Sequence, residues 1–122
     1  MTALVTPVAG ADGTILTMAG DGSKKWSYAK VADGTHRIVR IEEKVPISDR
    51  ATCGLYNWST GKAFCASARW IIRGENRTNG EFYVAPSFNY AIKSGLKIKI
   101  KEVAGMWRLG TPEDLNYFLN HK

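Results

Sequence analysis

Two carboxylates and an ammonium follow one another in the triplet Glu42-Glu43-Lys44, at the end of a predicted strand. A carboxylate can accept hydrogen bonds from neighbouring sugar hydroxyls, and an adjacent ammonium can hold a phosphate as a point charge. The same triplet is also typical of an ordinary solvated surface, where charged side chains usually lie. The dipeptide Gly80-Glu81 has the same two interpretations, because a turn before a helix or strand also explains it.

Other side chains with catalytic potential are too few or too scattered to form a site. His36 stands beside a predicted turn and His121 at the C-terminal end, so the sequence offers no Ser-His-Asp or Cys-His arrangement. Cys53 and Cys65 are too few for a metal cluster. Neither a P-loop nor a GxGxxG motif occurs. The residues therefore predict no catalytic side chain and no metal ligand.

The net charge of +6 and the isoelectric point of about 9.5 favour anionic partners. Lys97, Lys99 and Lys101 alternate along one predicted strand and could follow a phosphate backbone. Alternating lysines are more often a solvated face that discourages edge pairing. Aromatic residues do not interleave there as a base-stacking surface requires, so nucleic acid ranks last among the anionic partners.

The composition is that of one folded domain. The chain has 122 residues, of which 44% are hydrophobic. No apolar run approaches the length of a membrane span, and MTALVTPVAG lacks the basic start and long apolar core of a signal peptide. We therefore expect a cytoplasmic protein with no membrane contact.

Hydrophobic periodicity and turn residues predict a mixed α/β domain. The predicted strands cover residues 14–18, 26–31, 37–44, 52–58 and 96–103, and the predicted helices cover 62–73, 87–94 and a segment from 112 onward. In the third strand, Val39 and Ile41 keep the two-residue period and Ile38 faces the other side. The domain is expected over residues 12–122, after a weakly ordered or partner-dependent segment at 1–11.

The last helix has the most clearly marked start. Thr111 can cap it, Pro112 suits its first position, and acidic residues follow at the positive end of the helix dipole. Leu115, Phe118 and Leu119 are predicted to form its buried stripe.

Four stretches, in their order and spacing, resemble the second half of the bacterial sugar-phosphate nucleotidyltransferases, the nucleoside-diphosphate-sugar pyrophosphorylases. They are KWSYAKV, IEEKVPISDRATCGLYNW, NGEFYVAPSFNYAIKSGLKIKI and MWRLGTPEDLNYFL. The resemblance extends from about Asp12 to the C-terminus. It implies part of a three-layer α/β fold, namely the sugar-binding half without the N-terminal nucleotide-binding half. In that family a sugar 1-phosphate attacks the α-phosphorus of a nucleoside triphosphate and releases pyrophosphate, with Mg²⁺ and basic side chains neutralising the charge.

The resemblance also implies roles for individual residues. Glu43 and Lys44 match the pair that holds the sugar hydroxyls and the sugar phosphate. Gly80 and Glu81 match a second sugar-contacting stretch, and Ala29 lies where the family brings backbone close to the sugar.

Residues 107–111 match the family segment that crosses the site before a closing helix, which makes Trp107 and Arg108 substrate-contact candidates. Many members have an aspartate there that helps to bind Mg²⁺. This chain has Arg108 instead, so no metal ligand is carried over and no cofactor is expected in the chain alone.

Residues 1–11 resemble neither the glycine-rich triphosphate loop nor the metal-binding aspartate of the family's first half. The expected function is therefore a sugar-phosphate-binding half that is not catalytic alone, with a sugar phosphate or nucleotide sugar as ligand. The alternative is a non-catalytic, self-associating module. A half-domain exposes a sheet edge and an apolar face, which predicts a homo-oligomer that pairs through residues 14–18.

Overall fold

The computed structural model describes residues 6–122, which form five strands and three helices. In chain order the elements are β1 (Gly13–Ala19), β2 (Ser27–Val31), β3 (Ile38–Glu43), β4 (Arg50–Trp58), α1 (Gly61–Arg73), α2 (Val84–Lys93), β5 (Ile98–Glu102) and α3 (Pro112–His121). The mixed α/β class predicted from the sequence is confirmed. Each predicted element is present, and α2 differs most, because it begins three residues earlier than expected with Pro86 in its first turn.

The strands form one sheet in the order β3-β2-β4-β1-β5. β1 is antiparallel to β4 and parallel to β5, and the β2–β3 hairpin joins β4 through the pair Tyr28 and Ala51. The expectation that residues 14–18 pair with a second copy is wrong, because β1 has a partner strand on each side. Its burial on both faces fits this central place.

The core lies between the sheet and the layer made by α1 and α2. Phe88 of α2 is fully buried and stacks on Trp58 of β4, with ring centroids 3.9 Å apart. The other buried residues of this cluster are all alanine or isoleucine: Ile15, Ala29, Ile38, Ile41, Ala85, Ala91, Ile98 and Ile100. Ile98 and Ile100 confirm the alternation predicted for the last strand.

Two irregularities change which side chains the strands present. The register between β1 and β4 shifts opposite Leu16, where Gly54 adopts a φ of +78° that favours glycine. The β2–β3 register shifts near Val39. Val39 is 46% exposed whereas Ile38 and Ile41 are both buried, so the predicted pairing of Val39 with Ile41 on one face is wrong. An extra residue at the bulge reverses the alternation.

Two of the three helices have side-chain caps, and the one predicted from the sequence, at Thr111, is confirmed. The Thr60 hydroxyl accepts a hydrogen bond from the Ala63 amide at 3.1 Å, and the Thr111 hydroxyl accepts one from the Asp114 amide at 3.1 Å. Pro112 occupies the start of α3 as predicted. These contacts are local, which is why the sequence specifies them.

The buried stripe predicted for α3 is wrong. Within the described chain α3 has no buried residue; Leu115 is 44% and Leu119 50% exposed. Phe118 is half-buried because the Trp107 ring packs edge-on against it, with centroids 5.1 Å apart. The helix therefore packs on the segment before it, and the rest of its apolar face remains exposed.

The segment expected to be weakly ordered, residues 1–11, lies partly outside the described residues, which begin at Thr6. In the described part, the Val8 amide donates to the Thr14 hydroxyl at 3.0 Å and the Ala11 carbonyl accepts from the Ser59 hydroxyl at 2.8 Å. These bonds attach residues 8–11 to the sheet.

Across residues 6–122, the helices are all too short and too polar to cross a membrane. The expected cytoplasmic location stays a prediction.

We predict that Phe88→Ala lowers the free energy of unfolding by about 3–5 kcal/mol, because it removes a fully buried ring and leaves a cavity beside Trp58. Phe64→Ala is the matched control, since Phe64 also contacts Trp58 but is 39% exposed. Urea unfolding followed by tryptophan fluorescence measures both variants. Equal losses in the two would contradict the assignment of Phe88 to the core.

Candidate functional site

The open end of the β2–β3 hairpin holds a nearly buried carboxylate. Ser27 and Glu43 face each other across the two strands, and the Ser27 hydroxyl donates a short hydrogen bond to Glu43 Oε2. Glu43 is only 8% exposed. A carboxylate in such a place requires hydrogen-bond donors, and the serine supplies one to one of its two oxygens.

Tyr56 of β4 extends this polar cluster. Its hydroxyl lies 3.1 Å from the Thr52 hydroxyl. Burial raises the pKa of Tyr56, and the nearby Glu43 charge acts in the same direction, whereas hydrogen bonds with Thr52 and Ser27 lower it. Glu43 thus shares one environment with Ser27 and Tyr56.

Lys44 turns sharply away from the strand that precedes it. Its φ is +60°, which is uncommon for a residue other than glycine. The Lys44 amide donates to the Trp26 carbonyl at 2.9 Å, and Nζ lies 5.4 Å from the centre of the Tyr83 ring. Residues in such conformations are found where the surroundings hold them, often at functional sites. The turn directs the ammonium towards the start of α2.

Glu81 comes to the same place from a two-residue turn. Thr78 and Glu81 exchange backbone hydrogen bonds of 2.8 and 3.0 Å, while Asn79 and Gly80 have φ values of +51° and +82°. Asn-Gly with two positive φ values is typical of a type I′ turn. A hydrogen bond with Glu81 raises the pKa of Tyr83, and partial burial and the charges of Glu81 and Glu43 raise it further. Tyr83 thus contacts the Lys44 ammonium, and its pKa responds to both carboxylates.

Arg108 lies beside this cluster, next to Trp26. Its guanidinium carbon is 5.0 Å from the centre of the Trp26 ring, and its Nε is 3.7 Å from a carboxylate oxygen of Asp114. The Trp26 carbonyl also accepts a hydrogen bond from the Lys44 amide. Trp26 therefore contacts both Arg108 and Lys44. Trp107 is 48% exposed and packs on α3.

The residues around Arg108 do not fit the Mg²⁺ that the family uses. A guanidinium is a permanent cation with no lone pair to offer a metal. Elsewhere in residues 6–122, His, Cys, Asp and Glu side chains do not gather in groups of three that could hold a metal ion.

Ala29 lies deeper than the other predicted contacts. It is fully buried in the core, and its carbonyl accepts a hydrogen bond from the Ser48 hydroxyl at 2.7 Å. The structure thus gathers Glu43, Lys44 and Glu81, with Gly80 shaping the turn, and leaves Ala29 beneath them.

Comparison with known proteins was made by sequence and by structure. No family model matches the chain, and no curated protein does. A solved nucleoside-diphosphate-sugar pyrophosphorylase from Vibrio cholerae RC9 is similar over 91% of this chain, with a TM-score of 0.83 and 29% identity. The chain has a partial nucleotidyltransferase fold. It covers 47% of the Vibrio protein, so it spans under half of that length.

Two further solved nucleotidyltransferases share the fold at lower identity. A putative glucose-1-phosphate thymidylyltransferase from Bacillus anthracis, in complex with sucrose, matches 88% of this chain with a TM-score of 0.63 and 23% identity; the chain covers 42% of it. CMP:2-keto-3-deoxy-manno-octonic acid synthetase, complexed with CTP, matches 89% with a TM-score of 0.55 and 13% identity, and 48% of it is covered. Both matches show the fold alone.

Sequence reasoning missed Ser27, Tyr56 and Tyr83. Ser27 was not within reach of the sequence, because a two-residue turn at Asp33-Gly34 pairs Ser27 with Arg40. In the structure Val31 pairs with Ile38, and the extra residue near Val39 then moves the partner of Ser27 from Glu42 to Glu43. No sequence pattern places Tyr56 and Tyr83 in the cluster, because their contacts cross between separate elements.

We predict that Tyr56→Phe weakens the loss of stability at high pH. The pKa of Tyr56 is raised above its ordinary value of 10.0 in the folded protein. The folding stability that neutral Tyr56 contributes is therefore fully present below pH 10 and is lost as the pH rises through the folded-state pKa. Urea unfolding at about pH 8 and about pH 11 measures the difference for parent and variant. Tyr117→Phe, at a 59% exposed tyrosine, is the control. An unchanged pH dependence in Tyr56→Phe would refute this placement of Tyr56.

Proposed function

We propose that this chain is the sugar-phosphate-binding half of a nucleotidyltransferase, with Glu43, Lys44 and Glu81 in contact with the ligand. One observation supports this most strongly. The Lys44 ammonium lies 5.4 Å from the centre of the Tyr83 ring, and the carboxylates of Glu81 and Glu43, which come from separate segments, both raise the pKa of Tyr83.

The charges suit the two ends of a sugar phosphate. Glu43 gives one oxygen to Ser27, so its other oxygen can accept hydrogen bonds from sugar hydroxyls. Lys44 has no ion-pair partner within residues 6–122, and its ammonium can bind a phosphate. Glu81 adds acceptors for further hydroxyls. A site that has both carboxylates and an ammonium favours a ligand with both hydroxyls and a phosphate. A sugar phosphate fits this better than a plain sugar or a plain anion.

The neighbouring residues complete the proposed site. Gly80 holds the turn that presents Glu81, and Ala29 lies in the hairpin itself as a buried residue of β2. Arg108 adds a second cation beside Trp26, and the exposed ring of Trp107 borders it. We assign Arg108 to anion binding at the edge of the site, since the guanidinium also offers donors for phosphate oxygens.

We expect the 122-residue chain to bind sugar phosphate without making nucleotide sugar by itself. Attack on a nucleoside triphosphate requires donors and cations aimed at its phosphates. The solved structures that share the fold are about twice as long, and the sequence of this chain contains no glycine-rich phosphate loop. Transfer is therefore assigned to the complete nucleotidyltransferase domain.

Glucose 1-phosphate binding tests the proposal. Glu43→Gln is expected to weaken binding by about tenfold or more, because hydrogen bonds to a charged acceptor are stronger than those to an amide. Glu42→Gln is the control, because Glu42 is next to Glu43 in sequence but pairs with Arg40 on the exposed face. Isothermal titration with glucose 1-phosphate and galactose 1-phosphate gives the affinities, and circular dichroism verifies the fold.

Equal losses in Glu43→Gln and Glu42→Gln would contradict the proposed site, as would a parent chain that binds neither hexose phosphate. A pyrophosphate-release assay with glucose 1-phosphate and several nucleoside triphosphates is the second measurement. Release by the parent chain would disprove its assignment to the binding half alone.

Self-association is a second candidate role, and the exposed surface around α3 favours it. We infer that this surface packs against the same surface of a second copy of the chain. Its apolar residues are all at least 40% exposed: Met106, Trp107, Leu109, Leu115, Tyr117 and Leu119. Contiguous exposed apolar side chains of this kind mark interaction surfaces, and a two-fold pair can bury them on both copies.

We predict that Leu119→Glu shifts the chain from dimer to monomer, because it places a charge in the apolar surface that a second copy would bury. Asn120→Glu, an exposed polar position of the same helix, is the control and is expected to leave the dimer intact. Light scattering at two protein concentrations measures the mass. A monomeric parent chain would exclude this role.

A further inference from the structure

A groove that the sugar-phosphate site does not use lies between β5 and the segment that leads into β3. Its volume is about 610 Å³. Most of the polar residues that line it are basic, namely His36, Arg37, Lys97, Lys99 and Lys101; the others are the uncharged Thr35 and one carboxylate, Glu102. Arg37 precedes β3 and Glu43 ends it, so the two sites are roughly 20 Å apart along the strand.

Two cationic residues that line this groove are paired directly with each other. Arg37 and Lys99 form an isolated antiparallel bridge, and the neighbouring Ile100 amide donates to the His36 carbonyl at 2.8 Å. Like charges on directly opposed residues of antiparallel strands repel each other and destabilise the pair. An arrangement of this kind is stabilised when an anion lies between the two side chains.

The positive charge of the groove is not balanced by neighbouring carboxylates. Glu102 pairs with Arg50, and the Asp12 carboxylate accepts from the Lys97 backbone amide at 2.7 Å. The Lys101 ammonium donates a hydrogen bond to the carbonyl of Thr6 at 2.8 Å. A carbonyl is neutral, so this bond does not offset the positive charge of Lys101. Within residues 6–122, Arg37, Lys97 and Lys99 make no ion pair.

Protection of a sheet edge does not explain the whole cluster. β5 is the last strand of the sheet, and alternating lysines there discourage pairing with other chains. The segment at His36 and Arg37 already covers part of that edge, however. Arg37 comes from a different element and adds a cation where the edge is closed, so edge protection gives no reason for it.

We propose that this groove binds a linear polyphosphate chain of the kind found in inorganic triphosphate. Alternate residues of a strand lie about 7 Å apart, so Lys97, Lys99 and Lys101 span about 13 Å, more than a single phosphate needs. Phe, Tyr and Trp are absent among the residues that line the groove, and His36 is the one aromatic ring there, so it offers little surface for stacked bases. Recognition is of the phosphate chain by point charges. This inference uses residues other than those of the proposed sugar-phosphate site and does not rest on it.

Isothermal titration with sodium triphosphate tests the inference. The double variant Arg37→Gln/Lys99→Gln is expected to weaken binding by about tenfold or more, since each lost charged contact accounts for roughly that factor. The charge-matched control is Lys62→Gln/Lys93→Gln, at two exposed helix positions, and it is expected to keep the affinity of the parent within about twofold.

Thermal unfolding without added anion is the second readout. Removal of the repelling pair should leave the double variant at least as stable as the parent, while triphosphate should raise the Tm of the parent more than that of the variant. A parent chain that does not bind triphosphate would overturn the inference, as would equal losses in the two double variants. Binding of a ten-nucleotide single strand with no binding of triphosphate would overturn it in favour of a nucleic-acid surface.

Discussion

The pairing of the Ser27 hydroxyl with the Glu43 carboxylate is the contact on which the candidate site depends. Removing a carboxylate from water costs several kcal/mol unless hydrogen bonds replace its hydration. The hairpin provides that replacement at one oxygen through the Ser27 hydroxyl, and the proposed sugar-phosphate site assigns the other oxygen to a ligand. Lys44 must then turn through a positive φ to leave the strand, and this turn places its ammonium beside Tyr83.

Burial is distributed in a way that fits part of a larger domain. β1 is covered on both faces and has partners on both sides, so the central sheet is complete where it matters for stability. The apolar face of α3 is left open. The solved nucleotidyltransferases with this fold are about twice as long as this chain. In the proposed self-association, a second copy of the chain covers the open surface of α3.

Charged side chains are distributed differently at the two ends of β3. Near Glu43 the Lys44 ammonium lies beside Tyr83, whose pKa is raised by the carboxylates of Glu81 and Glu43. At Arg37, two cations are opposed in an isolated bridge. We therefore propose different anions for the two places: a sugar phosphate at the mixed site, and a chain of phosphates in the mainly basic groove.

The sequence alone determined the features that depend on neighbours in the chain. The Thr111 cap, the Asn79-Gly80 turn, the alternation of Ile98 and Ile100 and the order of all eight elements follow from local propensity and periodicity. The resemblance named the fold and brought Glu43, Lys44 and Glu81 forward as one site. Only the tertiary structure showed the effect of the bulge near Val39. One extra residue there gives Ser27 a different partner and reverses which side chains of β3 face the core. It also decided that α3 keeps its apolar stripe exposed, since an amphipathic pattern shows that a helix has a face to bury but not whether the same chain supplies the surface to cover it.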